Sequence, residues 1–354
     1  MKLRILTKLR IQRKFGRVVS LVLLAVTLAA LLAGCSKGSD SKTEQPAAGQ
    51  KQTEQKPAEQ KPKEDARIKL GLMPIEDNLP FFVAQSKGYF AQEVIVVEIA
   101  PMQSAVDRDS ALQAGAIDGG VSDLVAAILL KSGGADITIA SLGLGATPEE
   151  GRFAILASPK SDITSVSQLK GVEIAISRNS IIEYVTESTL VAQGIKVADI
   201  KYTEVPKIPV RFQMLMQGQL KAATLPDPFA TLAVAQGARL IADDTKGTNI
   251  SQTVILFRGE TAKKKPETLK KMFAAYARAV SDINGKPDDF RSLLVEKGGL
   301  PAPIKDSYKV NKFPAPQLPA RADVERVLNW LKGKNLLKTD VSYDQLVTAG
   351  LTGK

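Results

Sequence analysis

The stretch "SRNSIIE", residues 177–183, sets Ser177, Arg178, Asn179 and Ser180 immediately before an apolar run. Two hydroxyls, an amide and the free N–H groups of a helix start are suited to gripping a negative or carbonyl oxygen, and Arg178 adds charge. The same residues also serve a purely structural end. Ser180 with Glu183 three positions on makes a capping box, and one arginine beside a helix is commonly solvated. Other polar candidates sit between apolar runs: Glu76, Asp77 and Asn78 in "PIEDNLP", Gln103 and Ser104 in "MQS", Ser122 and Asp123 in "VSD". Ser141 in "SLGLG", Lys207 in "VPKIP" and Asp227 in "LPDPF" complete the set. An acid among them that points into a cleft favours an amine or ring N–H as ligand; one that only precedes a helix serves the helix dipole. Ser122 and Asp123 are also N-cap types, and "PDP" at 226–228 also reads as a rigid helix start.

Absent residues narrow the chemistry. The chain has no histidine and one cysteine, Cys35. Ser-His-Asp and Cys-His nucleophiles, thiolate zinc sites and disulfide frameworks are thereby excluded. Neither a GxxxxGK[ST] phosphate loop nor a GxGxxG fingerprint is present. Carboxylates or lysines are what an enzyme would have left. Binding, with no catalytic residue, cofactor or metal, is the expectation.

Cys35 stands at a particular place. Residues 1–34 carry seven Lys/Arg and no acid, and Val18 to Leu32 form an apolar run broken only by Ser20 and Thr27. That is a basic n-region followed by an h-region, shorter than the roughly 20 residues of a spanning helix. "LAGC", Leu32 to Cys35, resembles the bacterial lipobox, which implies a cleaved leader and a lipidated Cys35. An ordinary secretory cleavage site with an unrelated cysteine is the alternative. The formal net charge of +11 falls to +4 without the leader, so no nucleic-acid footprint is expected. Residues 36–66 balance six Lys against six acids, lack large apolar residues and are rich in Gln, Pro and Ala. Such a segment cannot offset its chain entropy by burial and reads as a disordered tether.

From residue 67 onward strands alternate with helices. "RIKLGLM" puts Ile68, Leu70 and Leu72 on one face, Pro80 opens a helix, and Gly88 closes it. "VIVVEIA", a helix ending at Gly115, the apolar helix "DLVAAILLKSGG" and the strand "DITIAS" follow. The order implies a mostly parallel sheet with helical crossovers. The pattern then returns at a constant offset of 103: Leu112 over Leu215, Gly115 over Gly218, Ala127 over Ala230, Gly134 over Gly237, Ile137 over Leu240. Two similar lobes are the simplest reading. Extended crossings between them are expected at 152–159 and 252–259, with "PETLKKMFAAYARAV" and "ADVERVLNWLKGK" packing onto the first lobe.

"LPFFVAQSKGYF", "ALQAGAIDGGVSD", "PDPFATLAVAQGARLI", "PETLKKMFAAYARAVSDI" and "VERVLNWLKGKNLL" carry a resemblance to the solute-binding lipoproteins of ABC importers, in the nitrate, sulfonate, taurine and thiamine-pyrimidine group. The resemblance covers nearly all of residues 67–350. It implies an α/β fold of the periplasmic-binding-protein type II, two lobes joined by a two-strand hinge near 156–160 and 251–255. The expected division is leader 1–34, lipidated cysteine and tether 35–66, lobe 1 at 67–157 with 255–354, and lobe 2 at 158–254. The implied partners are a small-molecule ligand, the ABC permease subunits and the membrane through the lipid. The chain is expected to be a monomer at the extracytoplasmic face of the cell membrane. A thiamine-pyrimidine binder, a ligand sensor and a lipid-anchored carboxylate enzyme stand as alternatives. The family's pyrimidine-synthase branch uses a histidine and a cysteine-rich motif that this chain lacks.

In such sheets ligands bind beyond the strands' carboxyl ends, between the lobes. That places the expected ligand contacts at Asp77, Asn78, Gln103, Ser104, Ser122, Asp123, Ser141, Ser177, Arg178, Asn179, Ser180, Lys207 and Asp227. Of the nearby aromatics, Phe81, Phe82, Tyr184 and Phe229 are expected in the core rather than as stacking platforms.

Overall fold

The computed structural model of the chain describes residues 64–150 and 152–353. The expected leader, Cys35 and nearly all of the tether lie outside the described residues. Ten strands occur among the described residues: β1 (Arg67–Leu72), β2 (Val96–Pro101), β3 (Gly119–Asp123), β4 (Ile137–Leu142), β5 (Phe153–Ala157), β6 (Glu173–Ile176), β7 (Lys201–Glu204), β8 (Ala222–Pro226), β9 (Arg239–Asp243) and β10 (Thr253–Arg258). They form two five-stranded sheets of the same design, β2-β1-β3-β10-β4 and β7-β6-β8-β5-β9. Pairing is parallel within β2-β1-β3 and within β7-β6-β8, while β10 and β5 each run antiparallel to both neighbours.

The helices are α1 (Leu79–Ser86), α2 (Tyr89–Gln92), α3 (Ala105–Gln113), α4 (Leu124–Ser132), α5 (Ile181–Ala192), α6 (Ile208–Met216), α7 (Phe229–Ala235), α8 (Gly259–Lys264), α9 (Pro266–Gly285), α10 (Arg291–Glu296), α11 (Arg321–Gly333) and α12 (Tyr343–Leu346). The offset of 103 holds at both ends of α3 against α6 and of β3 against β8. Gly115 and Gly218, which follow the two helices, both stand in the left-handed region at φ 73 and φ 77. Only glycine takes that conformation at no steric cost, so the chain leaves both helices by the same turn.

One expectation changes. β5, placed in lobe 1 up to residue 157, is an inner strand of the second sheet, hydrogen-bonded along both edges to β8 and β9. A strand paired on both sides cannot serve as a hinge. The crossings are therefore 143–152 on the way out and 244–252 on the way back, not 156–160 and 251–255, since β10 from Thr253 is likewise paired on both edges, with β3 and β4. They are stitched to each other: the Gly143 N–H donates to the Thr253 carbonyl at 2.7 Å, Thr253 N–H to Leu144 at 3.0 Å, and Asn249 Nδ2 to Gly145 at 2.7 Å. Gly145, at φ 90, passes so near the return segment that a Cβ would stand 3.0 Å from the Gln252 Cα.

Two of the C-terminal helices cover the duplicated halves differently. α9 buries Leu269, Met272, Phe273, Tyr276, Ala279, Val280 and Ile283 at helical spacing against α1. α11 packs Val324, Val327, Leu328 and Leu331 with α4, as expected of the first lobe. It also reaches α5 of the second, where Trp330 meets Tyr184 edge-on at 5.1 Å. No helix among the described residues is long and apolar enough to cross a membrane.

Candidate functional site

The carboxyl ends of β1 and β3 in the first sheet and of β6 and β8 in the second point at one another across a small cavity of about 50 Å³. From the first sheet come Met73, Ile75, Asp77, Ser122 and Asp123, with Ala105 and Arg108 from α3. From the second come Ser177, Ser180, Ile181, Ile208, Arg211 and Pro226, with Phe153 and Thr253 from the strands that follow the crossings. A narrower recess continues past Asp77 to Glu76, Arg152, Asp227 and Ser251.

Five expected residues, Asp77, Ser122, Asp123, Ser177 and Ser180, line this cavity together. Asp227 lines the recess, where Oδ1 accepts from the Thr231 N–H at 2.8 Å and its hydroxyl at 2.7 Å. The others stand apart. Asn78 is buried and donates to the Met73 carbonyl at 2.6 Å, closing the turn. Ser104 caps α3 by accepting from Asp107 N–H. Ser141 exchanges hydrogen bonds with the backbone of residue 317, both at 3.2 Å. Gln103 and Lys207 are exposed. Arg178 and Asn179 are exposed and line a different, outward-facing groove with Asp109 and Lys338.

The turn before α5 also differs in detail from a capping box. Ser180 accepts from the Ile182 N–H and donates to the Ser177 carbonyl. Glu183 does not reach back to Ser180 but to the Asn179 N–H at 2.8 Å, while Arg178 donates to its other oxygen at 3.2 Å. Asn179 sits at φ 51, which turns its side chain and that of Arg178 outward and leaves the two serines facing in. The aromatics Phe81, Tyr184 and Phe229 pack on Tyr276, Trp330 and Phe212 respectively, outside the cavity lining.

Two arginines carry the cavity's electrostatics, and they are partners under the offset of 103. Arg108 is 2% exposed and Arg211 0%. Arg108 Nε donates to Asp109 at 2.8 Å, its Nη2 lies 2.8 Å from the same oxygen, and Nη1 donates to the Val121 carbonyl at 3.1 Å. Arg211 has Phe212 beside it instead of an acid. Its Nη1 donates to the Val205 carbonyl at 2.6 Å, and Nε and Nη2 have no partner among the described residues. Burial alone pushes its pKa down to about 9. A guanidinium removed from water without a counter-charge is costly unless something supplies the anion.

The acids of the site are shifted the other way. Burial raises Asp123 to about 6, against the pull of Arg108 and the Ala126 N–H that its Oδ1 caps at 2.9 Å. Burial also raises Asp77, with the Thr253 hydroxyl opposing. Glu76 is raised to about 7 although Tyr308 donates to it at 2.6 Å and Asn311 twice at 2.7 Å. Arg152 is shared between Asp243 at 3.3 Å and Asp227 at 3.9 Å. No cluster of metal-ligating side chains occurs among the described residues. The arrangement can hold a small polar molecule, with an anionic end toward Arg211.

Residues 61–296 match the NMT1-like family. A putative aliphatic sulfonates-binding protein of Escherichia coli (strain K12) is 27% identical over 216 residues, 60% of this chain and 66% of that protein, just short of two thirds of its length. The alkanesulfonate-binding protein of Xanthomonas axonopodis pv. citri bound to MOPS superposes with a TM-score of 0.67 at 18% identity, covering 81% of this chain and 97% of that one. The periplasmic aliphatic sulphonate-binding protein of Escherichia coli gives 0.66 at 21% identity, covering 80% and 92%. The architecture is thus the two-lobed α/β fold of periplasmic binding proteins.

Proposed function

This chain belongs to the NMT1-like family, and from that premise we propose that it is the extracytoplasmic solute-binding component of an ABC importer. It captures a small solute (a sulfonate, taurine, nitrate or a related anion) between its lobes and delivers it to the permease. The observation that carries this reading is Arg211: a fully buried cation with two unpartnered nitrogens, lining a cavity shared by both sheets. The relatives named for sulfonate binding support the anionic class. Lobe 1 would comprise the first sheet and the C-terminal helices, lobe 2 residues 153–243, with closure about 143–152 and 244–252. Lipidation of Cys35, a tether to residue 66 and a monomer at the outer face of the membrane complete the proposal.

The raised carboxyls of Asp77 and Asp123 are what a carboxylate enzyme on this fold would also require. That second reading predicts turnover of the bound molecule, and the importer reading predicts its recovery unchanged. The test of the first is thermal unfolding of the purified chain against sulfonates, taurine, nitrate, carboxylates and thiamine precursors. A ligand at 100 times its dissociation constant adds about 2.7 kcal/mol of stability. A clear upward shift with one anionic class is expected; no shift with any of them overturns the reading.

A further inference from the structure

A second hollow lies away from the cavity between the sheets and shares no lining residue with it. It is a groove of about 760 Å³ walled by α5 and β9 of the second lobe, by the return crossing from Asp244, and by Arg326 and Trp330 of α11. Arg326 Nη1 donates to the Asn249 carbonyl at 2.9 Å and so holds α11 against the crossing. Ligand pockets run from about 300 to about 1,000 Å³, so the groove is of ligand size. Val191 and Leu240 give it an apolar wall, 45% and 43% exposed, and Tyr184 and Trp330 add ring surface. Two buried polar groups are left over in the same lining. The Thr189 hydroxyl and Asp244 Oδ2, on residues 7% and 2% exposed, have no hydrogen-bond partner among the described residues.

Asp244 sets the chemistry. Its Oδ1 accepts from the Phe153 N–H at 2.8 Å, and the cations around it are committed elsewhere: Arg152 to Asp243 and Asp227, Arg326 to Asp323, Lys334 to Glu183 and Glu187. Lys246 is exposed to solvent. Burial lifts the Asp244 carboxyl to about 6, with the Phe153 N–H and the Ser251 hydroxyl opposing and Asp243 adding to the rise. It is therefore ionised at neutral pH, and a buried carboxylate with a free oxygen is costly until a donor reaches it. From this groove we propose a second ligand site, one that takes a primary amine carrying an apolar or aromatic body. The ammonium sits on Asp244, with the Thr189 hydroxyl as a further acceptor, and the body lies along Val191, Leu240 and Trp330. An anion of the same shape would meet Asp243 and Asp244 instead of a free cation.

Trp330 is the only tryptophan of the chain, so its fluorescence reports this groove directly. The experiment titrates the purified full chain at neutral pH with 2-phenylethylamine, 2-phenylethanol and phenylacetate. A saturable change is expected with the amine, at a dissociation constant about tenfold or more below those of the alcohol and the acid. Asp244→Asn is expected to bring the amine to within about threefold of the alcohol, because it removes the charge and keeps the shape. Leu240→Ser, at an exposed position that folding tolerates, is expected to weaken amine and alcohol alike by about threefold or more. The wild-type comparison needs no variant to fold. An amine that gives no saturable change, an alcohol or acid that binds as tightly as the amine, or amine binding indifferent to both substitutions would each overturn the site. None of these outcomes bears on solute capture between the lobes, which the thermal shifts with anions test separately.

Discussion

The two halves related by the offset of 103 share a frame and differ in what they place at the same point of it. α3 and α6 each carry one fully buried arginine at the fourth helical position, and both helices leave through a left-handed glycine. Beyond that the halves diverge. The first has Asp109 next to its arginine and Ser122–Asp123 at the end of β3. The second has Phe212 next to its arginine and Leu225–Pro226 at the end of β8. Phe212 packs on Phe229 at 5.6 Å, an apolar contact where the first half has an ion pair. The duplicated frame therefore delivers two cations to one cavity, and a single neighbouring residue decides which remains available. The lesson is that duplication supplies geometry, and local charge balance supplies the division of labour.

The sharpest way to break this comparison is to make the same substitution at both arginines. Arg211→Met is expected to abolish anion binding, a loss of between about 2 and 5 kcal/mol, since the ligand's charge would be left buried and unpaired. It is also expected to raise the stability of the ligand-free chain by about 1 kcal/mol or more, because an uncompensated buried charge disappears. Arg108→Met should do the reverse in stability. It removes the cation paired with Asp109 and acting on the buried Asp123, at a cost of about 3 kcal/mol, discounted for the partial exposure of Asp109. Urea unfolding of the two variants reads both signs. Equal destabilisation in the two would show that Arg211 is as well satisfied as Arg108.

The sequence made much of this frame legible. Alternating strands and helices, the offset and the turn glycines all rest on local periodicity, which survives without knowledge of partners. The second sheet's inner strand did not, because "RFAILASP" is equally apolar whichever sheet it joins; only its pairing with β8 and β9 decides. The arginines went unread for a related reason. "DRDS" reads as a solvated helix face, and burial of Arg108 comes from tertiary packing. A signal existed nonetheless: the repeat aligned from Leu112 extends four residues further back and places Arg108 over Arg211. Among the loop residues, Asp77, Ser122, Asp123, Ser177 and Ser180 were legible because strand ends are where clefts form. Gln103, Arg178, Asn179 and Lys207 share those loops but face outward, since φ at one residue, such as Asn179, sets which side chains turn in.

A second way to sharpen the contrast uses pH, because two of the three strongly raised acids, Glu76 and Asp123, belong to the first lobe; the third is Asp244. Glu76 is held at about 7 against an ordinary 4.5. As pH rises through that interval the unfolded chain gives up its proton first, so ionisation favours unfolding. The stability from this group is full below 4.5, falls up to about 7 and is then level. The fall amounts to about 3 kcal/mol at most. Asp123 and Asp244, both raised from 3.8 to about 6, add to the same downward trend but complete theirs earlier. Glu76→Gln keeps a side-chain oxygen for Tyr308 and Asn311 while removing the titration. Its stability is expected to be level above pH 6, where the parent still declines. A parent curve flat from pH 5 to 7 would mean that Glu76 ionises normally.

The smallest effect concerns the helices that cover the two halves. α1 and α5 stand at equivalent places, yet α9 covers α1 with apolar contacts, Phe81 on Tyr276 at 4.9 Å, while α11 meets α5 through charge beside the Trp330–Tyr184 contact. Lys334, just past α11, lies 2.5 Å from Glu187 and 3.4 Å from Glu183, and Trp330 Nε1 donates to Glu187 at 2.9 Å. Both glutamates are buried, so this contact is screened far less than a surface pair. Glu187 retains Trp330 and Tyr202 as donors without the lysine, and Glu183 retains Arg178, so Lys334→Met is expected to cost only about 1 kcal/mol in urea unfolding. The exposed pair Arg321–Asp344, 2.7 Å long between α11 and α12, provides the control: Arg321→Ala should cost less than Lys334→Met. High salt should erase the effect at Arg321 and leave most of the one at Lys334, because only the second pair is shielded from the ions. Equal salt sensitivity at the two sites would mean that α11 rests on the second lobe as a solvated surface contact, and that packing on α4 alone holds it.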